Sequence, residues 1–150
     1  MRNIMLRVSA IITLLVTVAF ASAMASVSAQ TPGHSITANL PFDFNVGDKT
    51  LSAGQYAVAR SNSDGTQLRI SNREESASRL TQTVIASEPK EQSVLVFNRY
   101  GDRYFLSQVW IAGETQGRQM MKSGGEKAIE VELAKNNSKA GTVIVVAGLR

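Results

Sequence analysis

Four residues bring guanidinium groups and aromatic rings together in this chain: Arg99, Tyr100, Arg103 and Tyr104. They lie within Val94 to Ile111, which reads VLVFNRYGDRYFLSQVWI. Arginine beside tyrosine offers two binding chemistries. The guanidinium is a planar donor array suited to an anionic group, and the rings are a stacking surface for a sugar. The same residues also make sense without a ligand, because an arginine laid over an aromatic ring across a hairpin stabilises the hairpin by itself. Cross-strand packing is the simpler account, and the four stand as a candidate surface contact.

Other chemistry is sparse. The single His is His34, near the front, and there is no Cys. A nucleophile needs a base beside it, so neither a serine–histidine triad nor a cysteine–histidine pair is expected. Asp43, Asn45, Gly47 and Asp48 place oxygens at spacings that faintly resemble a calcium loop, but the position for its bidentate Glu is Gly54. A turn built on Asx chemistry explains those residues more simply. Asp43, Asp48, Asp64 and Asp102 fall at expected turns, and Glu130 and Glu132 on an expected helix. The paired carboxylates of glycoside hydrolysis would need the fold to bring two of them to one cleft. No P-loop and no G-x-G-x-x-G occurs. No catalytic residue, metal ligand or cofactor is therefore expected. Trp110 reads as core, and Met120-Met121 as packing filler.

The element that must position the four residues is a hairpin. Gly101-Asp102 separates two apolar runs, and Gly accepts the positive φ such a two-residue turn requires. The stretch holds Phe97, Tyr100, Tyr104, Phe105 and Trp110, five of the nine aromatics. Strict alternation puts Leu95, Phe97, Arg99, Tyr104, Leu106, Gln108 and Trp110 on one face. Val94, Val96, Asn98, Phe105, Ser107, Val109 and Ile111 then share the other. Both faces are apolar near the base, so the hairpin should be central and covered on both sides.

Around it the sequence predicts strands at Ile36–Phe44, Gln55–Arg60, Gln67–Ser71, Ser78–Ala86 and Thr142–Ala147, from period-two patterning and β-branched content. Pro41 should place the first of these at an edge or a bulge. Arg118–Met121 is a weaker strand candidate. Ser123-Gly-Gly-Glu126 matches a capping box and predicts a helix over Lys127–Lys135, although Ile129, Val131 and Leu133 also alternate as in a strand. The fold class is mainly β: an antiparallel sandwich or open barrel of about seven strands, with one short helix near the C-terminus.

Residues 1–29 read as a cleavable signal peptide. Arg2 and Arg7 precede the apolar run Val8–Phe20, and Val27-Ser28-Ala29 suits a peptidase, with earlier cuts after Ala23 or Ala25 as alternatives. Residues 30–150 then form one β-rich domain, with 30–35 as a flexible leader. Removing the two arginines takes the net charge from +4 to +2, with the remaining charges intermingled. Nucleic acid is not an expected partner, and no membrane span should remain after cleavage. A cysteine-free domain in an oxidising compartment must rest on burial and backbone pairing.

The segments ITANLPFDFNVGDKTLSAGQY (Ile36–Tyr56), RYGDRYFLSQVW (Arg99–Trp110) and GRQMMKSGGEKAI (Gly117–Ile129) together resemble an uncharacterised family of small exported bacterial proteins. That family has a PFDF-x-VG…AG-x-Y front and a YGD-x-YFL…W hairpin. The resemblance covers most of the mature chain in order. It implies secretion and a compact β-rich domain, and it brings no catalytic residues with it. Ser52 stands where relatives more often have Pro, which bears on turn rigidity alone.

The expected function is that of an exported, non-catalytic β domain, periplasmic or extracellular, acting by binding or structural association. A carrier with an apolar cavity between sheet and helix, lined by Phe42, Tyr56, Phe97 and Trp110, is the second reading. A hydrolase with an unrecognised site is the third. A small apolar molecule or a carbohydrate is the kind of ligand these readings admit.

Overall fold

A computed structural model describes residues 35–136 and 140–149. The expected signal, residues 1–29, and the leader up to His34 lie outside the described residues. The elements are β1 (Ile36–Leu40), β2 (Phe44–Val46), β3 (Lys49–Leu51), β4 (Gly54–Arg60), β5 (Gln67–Ser71), β6 (Ser76–Ile85), β7 (Ser93–Tyr100), β8 (Arg103–Trp110), β9 (Gln116–Met120), α1 (Gly124–Lys135) and β10 (Gly141–Leu149).

Eight strands close a ring in the order β8-β7-β10-β1-β4-β5-β6-β9 and back to β8, antiparallel at every step. The fold is thus a closed antiparallel barrel with one short helix. The seven expected strands become β1, β4 to β8 and β10, and the weaker candidate at Arg118–Met121 supplies the closing β9. Closure removes the exposed edges that an open sheet would carry.

Inward side chains alternate along most of the strands and fill the centre. Ile36, Leu40, Phe44, Leu51, Tyr56, Ile70, Leu95 and Phe97 have essentially no exposed surface. Phe44 sits edge-on to both Tyr56 (5.1 Å) and Phe97 (5.6 Å).

Two expectations change in the structure. The first is the continuous strand Ile36–Phe44. It stops at Leu40, bends at Pro41-Phe42 and resumes as β2, because proline has no N–H for the ladder. The two halves then pair differently, Leu40 with Gly54 and Phe44 with Leu51.

The second is strict alternation through β8. Val96 pairs with Gln108 but Phe97 pairs with Leu106, so Ser107 is an extra residue in a β-bulge. Beyond it the faces exchange. Val109 joins Leu95 in the core cluster, and Trp110 pairs with Val94 outside that cluster. Trp110 is buried all the same. Its ring lies on Gly117, with Lys90 Nζ 5.0 Å from the ring centroid. A cavity lined jointly by Phe97 and Trp110 does not form, because the two rings occupy opposite faces of the wall.

The helix has Ser123 as its N-cap, as expected, but starts at Gly124, three residues before the expected Lys127, and only the Ser123 half of the capping box forms. Ser123 Oγ accepts the backbone N–H of Glu126 at 3.1 Å. The Glu126 carboxylate bonds to the barrel, where Asn98 Nδ2 (2.9 Å) and the Tyr100 hydroxyl (3.2 Å) donate to it. Among the described residues no helix is long and apolar enough to cross a membrane.

Candidate functional site

The two-residue turn at Gly101-Asp102 forms as expected, with Gly101 at φ +62°. It pairs Tyr100 with Arg103 and Arg99 with Tyr104. Period two sends these two pairs to opposite faces, so the structure does not assemble the four residues into one surface.

Arg99 and Tyr104 form an internally satisfied pair. The Arg99 guanidinium lies 5.6 Å from the Tyr104 ring centroid, and its Nε donates to the Gly101 carbonyl at 2.8 Å. The Tyr104 ring also stacks on Phe42 at 4.0 Å, and Phe42 meets Phe97 edge-on at 5.4 Å. This half of the tip is cross-strand packing joined to the core.

Tyr100 is also committed to structure. It is buried, its ring meets Phe105 edge-on at 5.7 Å, and its hydroxyl donates to Glu126. Burial first, and then the Glu126 carboxylate beside it, pushes its phenol pKa up. Lys122 forms an ion pair with Glu130 at 2.6 Å and is held above the usual lysine range by that hydrogen bond.

Arg103 differs from the other three. It is exposed, and neither ion pair among the described residues involves it: these are Arg60–Glu114 and Lys122–Glu130. It stands where two clefts meet. One, of about 410 Å³, runs between the helix and the barrel wall, with Phe105, Asp48, Ile129 and Glu132 around it. The other, of about 300 Å³, opens towards β3, with Asp43, Thr50 and Asp102. Arg103, Asn45 and Phe105 line both.

Topology explains why a groove lies there. β9 pairs with β8 only at Gln108 and Val109. Nearer the tip, β2 takes that edge through one parallel pair, Asn45 with Phe105. The handover is held by Asn45, whose Nδ2 donates to the Tyr104 carbonyl (3.1 Å) and whose Oδ1 accepts the Thr50 hydroxyl (2.7 Å). Asp43 Oδ1 accepts the Ala53 N–H at 2.7 Å. These bonds reach five or more residues along the chain, so the side chains brace neighbouring elements and do not form the expected Asx turn, which bonds two residues on. Among the described residues no group of three or more His, Cys, Asp or Glu side chains is placed to share a metal ion.

The groove places two carboxylates beside each cleft, a feature invisible in the sequence. Asp48 and Glu132 come from the β2–β3 turn and the helix, and Asp43 and Asp102 from two other turns. All four are exposed. A general acid for glycoside hydrolysis needs surroundings that keep it protonated, such as burial in an apolar pocket. These positions lack that burial.

Two further features lie elsewhere. A cleft of about 810 Å³ crosses the outer wall, and Gly148, Thr37, Ala57 and Ser71 form one cross-strand row along it. Its floor is small side chains, and the Asn72-Arg73-Glu74 loop at its rim is exposed. Thr37 Oγ1 is buried there without a hydrogen-bond partner. At one end of the barrel, the Tyr56 hydroxyl donates to Glu75 Oε2 at 2.7 Å, and the Ser52 N–H donates to the same oxygen at 2.9 Å. Burial, then Glu75, pushes the Tyr56 pKa up to about 12. The Ser52 N–H and then the Tyr56 hydroxyl hold the Glu75 carboxyl below the usual range. This is a clasp between the β3–β4 and β5–β6 connections. No family model matches the chain, and no curated protein or solved structure shows significant similarity to it.

Proposed function

We propose that this chain is an exported, non-catalytic binding domain, periplasmic or extracellular, which takes a small polar ligand in the groove between the hairpin tip and the helix. One observation carries the reading. Of the four residues that the sequence marks as a contact surface, three are consumed by packing or internal hydrogen bonds. Arg103 alone is left open, at the junction of two clefts. An exposed cation in a concave site, with carboxylates and some apolar surface beside it, is arranged for recognition. The N-terminal pattern of Arg2, Arg7 and Val8–Phe20, together with the resemblance to small exported proteins, supports export.

The carrier reading fits less well at this place. Phe105, Ala128 and Ile129 supply apolar surface between sheet and helix, but Arg103, Asp48 and Glu132 share it. A purely apolar occupant would desolvate those charges without pairing them. The hydrolase reading keeps one supporting feature, the two carboxylates at each cleft.

Native mass spectrometry on protein recovered from its own host, wild type against Arg103→Ala, tests the proposal. The expected result is a chain beginning at Gln30 that carries a small-molecule adduct, with the adduct missing from the variant. An adduct held equally by both proteins would remove the groove from the reading. An intact N-terminus in the membrane fraction would remove export.

A further inference from the structure

We infer that the groove's ligand is a neutral saccharide, recognised by its hydroxyl groups; this rests on the reading of the groove as the binding site. The charges at the groove decide among ligand classes. Arg103 can only donate hydrogen bonds, and Asp48, Glu132, Asp43 and Asp102 can only accept them when ionised. Among the lining residues Arg103 is the one cation, with two carboxylates at each cleft, and the Arg79 guanidinium lies against Gly47 at the edge of the first. A net anionic ligand would meet more repulsion than attraction there. An apolar ligand would strip water from charges and return nothing.

A hydroxyl both donates and accepts. Neighbouring hydroxyls on one ring can therefore accept from Arg103 and donate to Asp48 or Glu132 at the same time. The non-polar side of such a ring needs apolar surface of the kind that Ala128 and the half-buried Ile129 provide above the buried Phe105. The volumes, about 410 and 300 Å³, lie within the roughly 300–1,000 Å³ typical of small-ligand sites. Asn45 is a fixed wall, since its amide is already tied to the Tyr104 carbonyl and the Thr50 hydroxyl. A zwitterion is the nearest competitor, because it too matches a cation beside carboxylates. It places full charge on Glu132 or Asp48, and that difference makes the two separable.

The test uses the full domain, titrated with a panel of neutral gluco-, galacto-, manno- and N-acetylglucosamine oligosaccharides, and in parallel with glycine and diglycine. Amide NMR shifts locate binding, and calorimetry gives its strength. A neutral oligosaccharide should shift the Arg103, Phe105, Asp48 and Ile129 resonances. Arg103→Ala should weaken it roughly tenfold or more, as expected for loss of a charge-assisted hydrogen bond. Glu132→Gln, which keeps an acceptor, should weaken it by only about threefold, whereas an ammonium held by Glu132 would weaken roughly tenfold. Circular dichroism and thermal melting confirm that both variants fold.

If glycine or diglycine shifts the groove and no saccharide does, the ligand class is overturned and the groove survives. If nothing in either panel shifts the groove, or saccharides shift only other residues, both are overturned. Cleavage of a bound oligosaccharide would support the ligand class and overturn the non-catalytic reading.

Discussion

The half-buried Glu75 carboxylate holds two connections of the barrel together. It receives the Ser52 N–H and the Tyr56 hydroxyl on one oxygen, and with them ties two loops of the barrel end. Its folded pKa is lowered, so the ionised form is the one that the fold prefers. The stability this contributes is present above the unfolded value near 4.5 and is lost as pH falls through the folded value. Tyr56 works in the opposite sense. Its folded pKa of about 12 lies above 10.0, so its contribution is complete below pH 10 and is lost as pH rises towards 12. Glu75→Gln should therefore flatten the acid limb of the melting temperature against pH below about 4.5, and should weaken the alkaline limb only in part, because burial, the larger cause of the raised Tyr56 pKa, remains. Tyr56→Phe should flatten the alkaline limb above pH 10. Unchanged acid limbs in Glu75→Gln would show that the clasp contributes nothing. Neither role was legible in the sequence, because Glu75 sits in the plain polar stretch NREES and its partners lie 19 and 23 residues away.

At the level of elements, local signals were read well and non-local ones were not. The Gly101-Asp102 turn, the strand Gln67–Ser71 and the Ser123 cap depend on neighbours within a few residues, and each forms where expected. The bulge at Ser107 depends on how β8 meets both β7 and β9, and no local pattern in YFLSQVW marks it. It decides where Trp110 points. With the outer face turned towards β9, the indole lies over Gly117, and an added Cβ there would approach the ring to 2.6 Å. That contact is with the body of a buried ring, which cannot swing aside as a long flexible side chain would. Gly117→Ala should destabilise by about 1–3 kcal/mol through overpacking. Trp110→Ala should cost about 3–5 kcal/mol. The double variant should cost little more than Trp110→Ala alone, because the clash needs the ring. Urea denaturation of the three proteins checks this, and additive losses would place the indole elsewhere. The groove residues Asp48 and Glu132 were likewise missed, since a turn and a helix from distant parts of the chain meet only through the fold.

The barrel as a whole is closed unevenly. β10 follows β7 over seven paired positions, Gly141 to Ala147, but meets β1 at only two, Ile36 with Leu149 and Thr37 with Gly148. The β8–β9 seam is equally short, with Gln108 opposite Gln119 and Val109 opposite Arg118. The ring is therefore one sheet of β9, β6, β5, β4 and β1 facing another of β8, β7 and β10, joined along two thin seams. Backbone hydrogen bonds hold each sheet together, while the shared core around Phe44 and Phe97 holds the two sheets to each other. Opening a seam breaks few backbone bonds, so it should occur far more often than global unfolding. Native-state hydrogen exchange should find the seam amides of β1–β10 and β8–β9 exchanging at least about tenfold faster than the inner amides of the β7–β8 hairpin. Truncation before Gly148 removes the first seam and spares the buried Ala147. It should cost about 2 kcal/mol, in keeping with a few lost backbone bonds, and leave the second seam's exchange unchanged. If the seam amides exchanged only through global unfolding, the barrel would be one cooperative wall. The groove at the hairpin tip would then sit in a rigid rim and not beside a place where the wall can part.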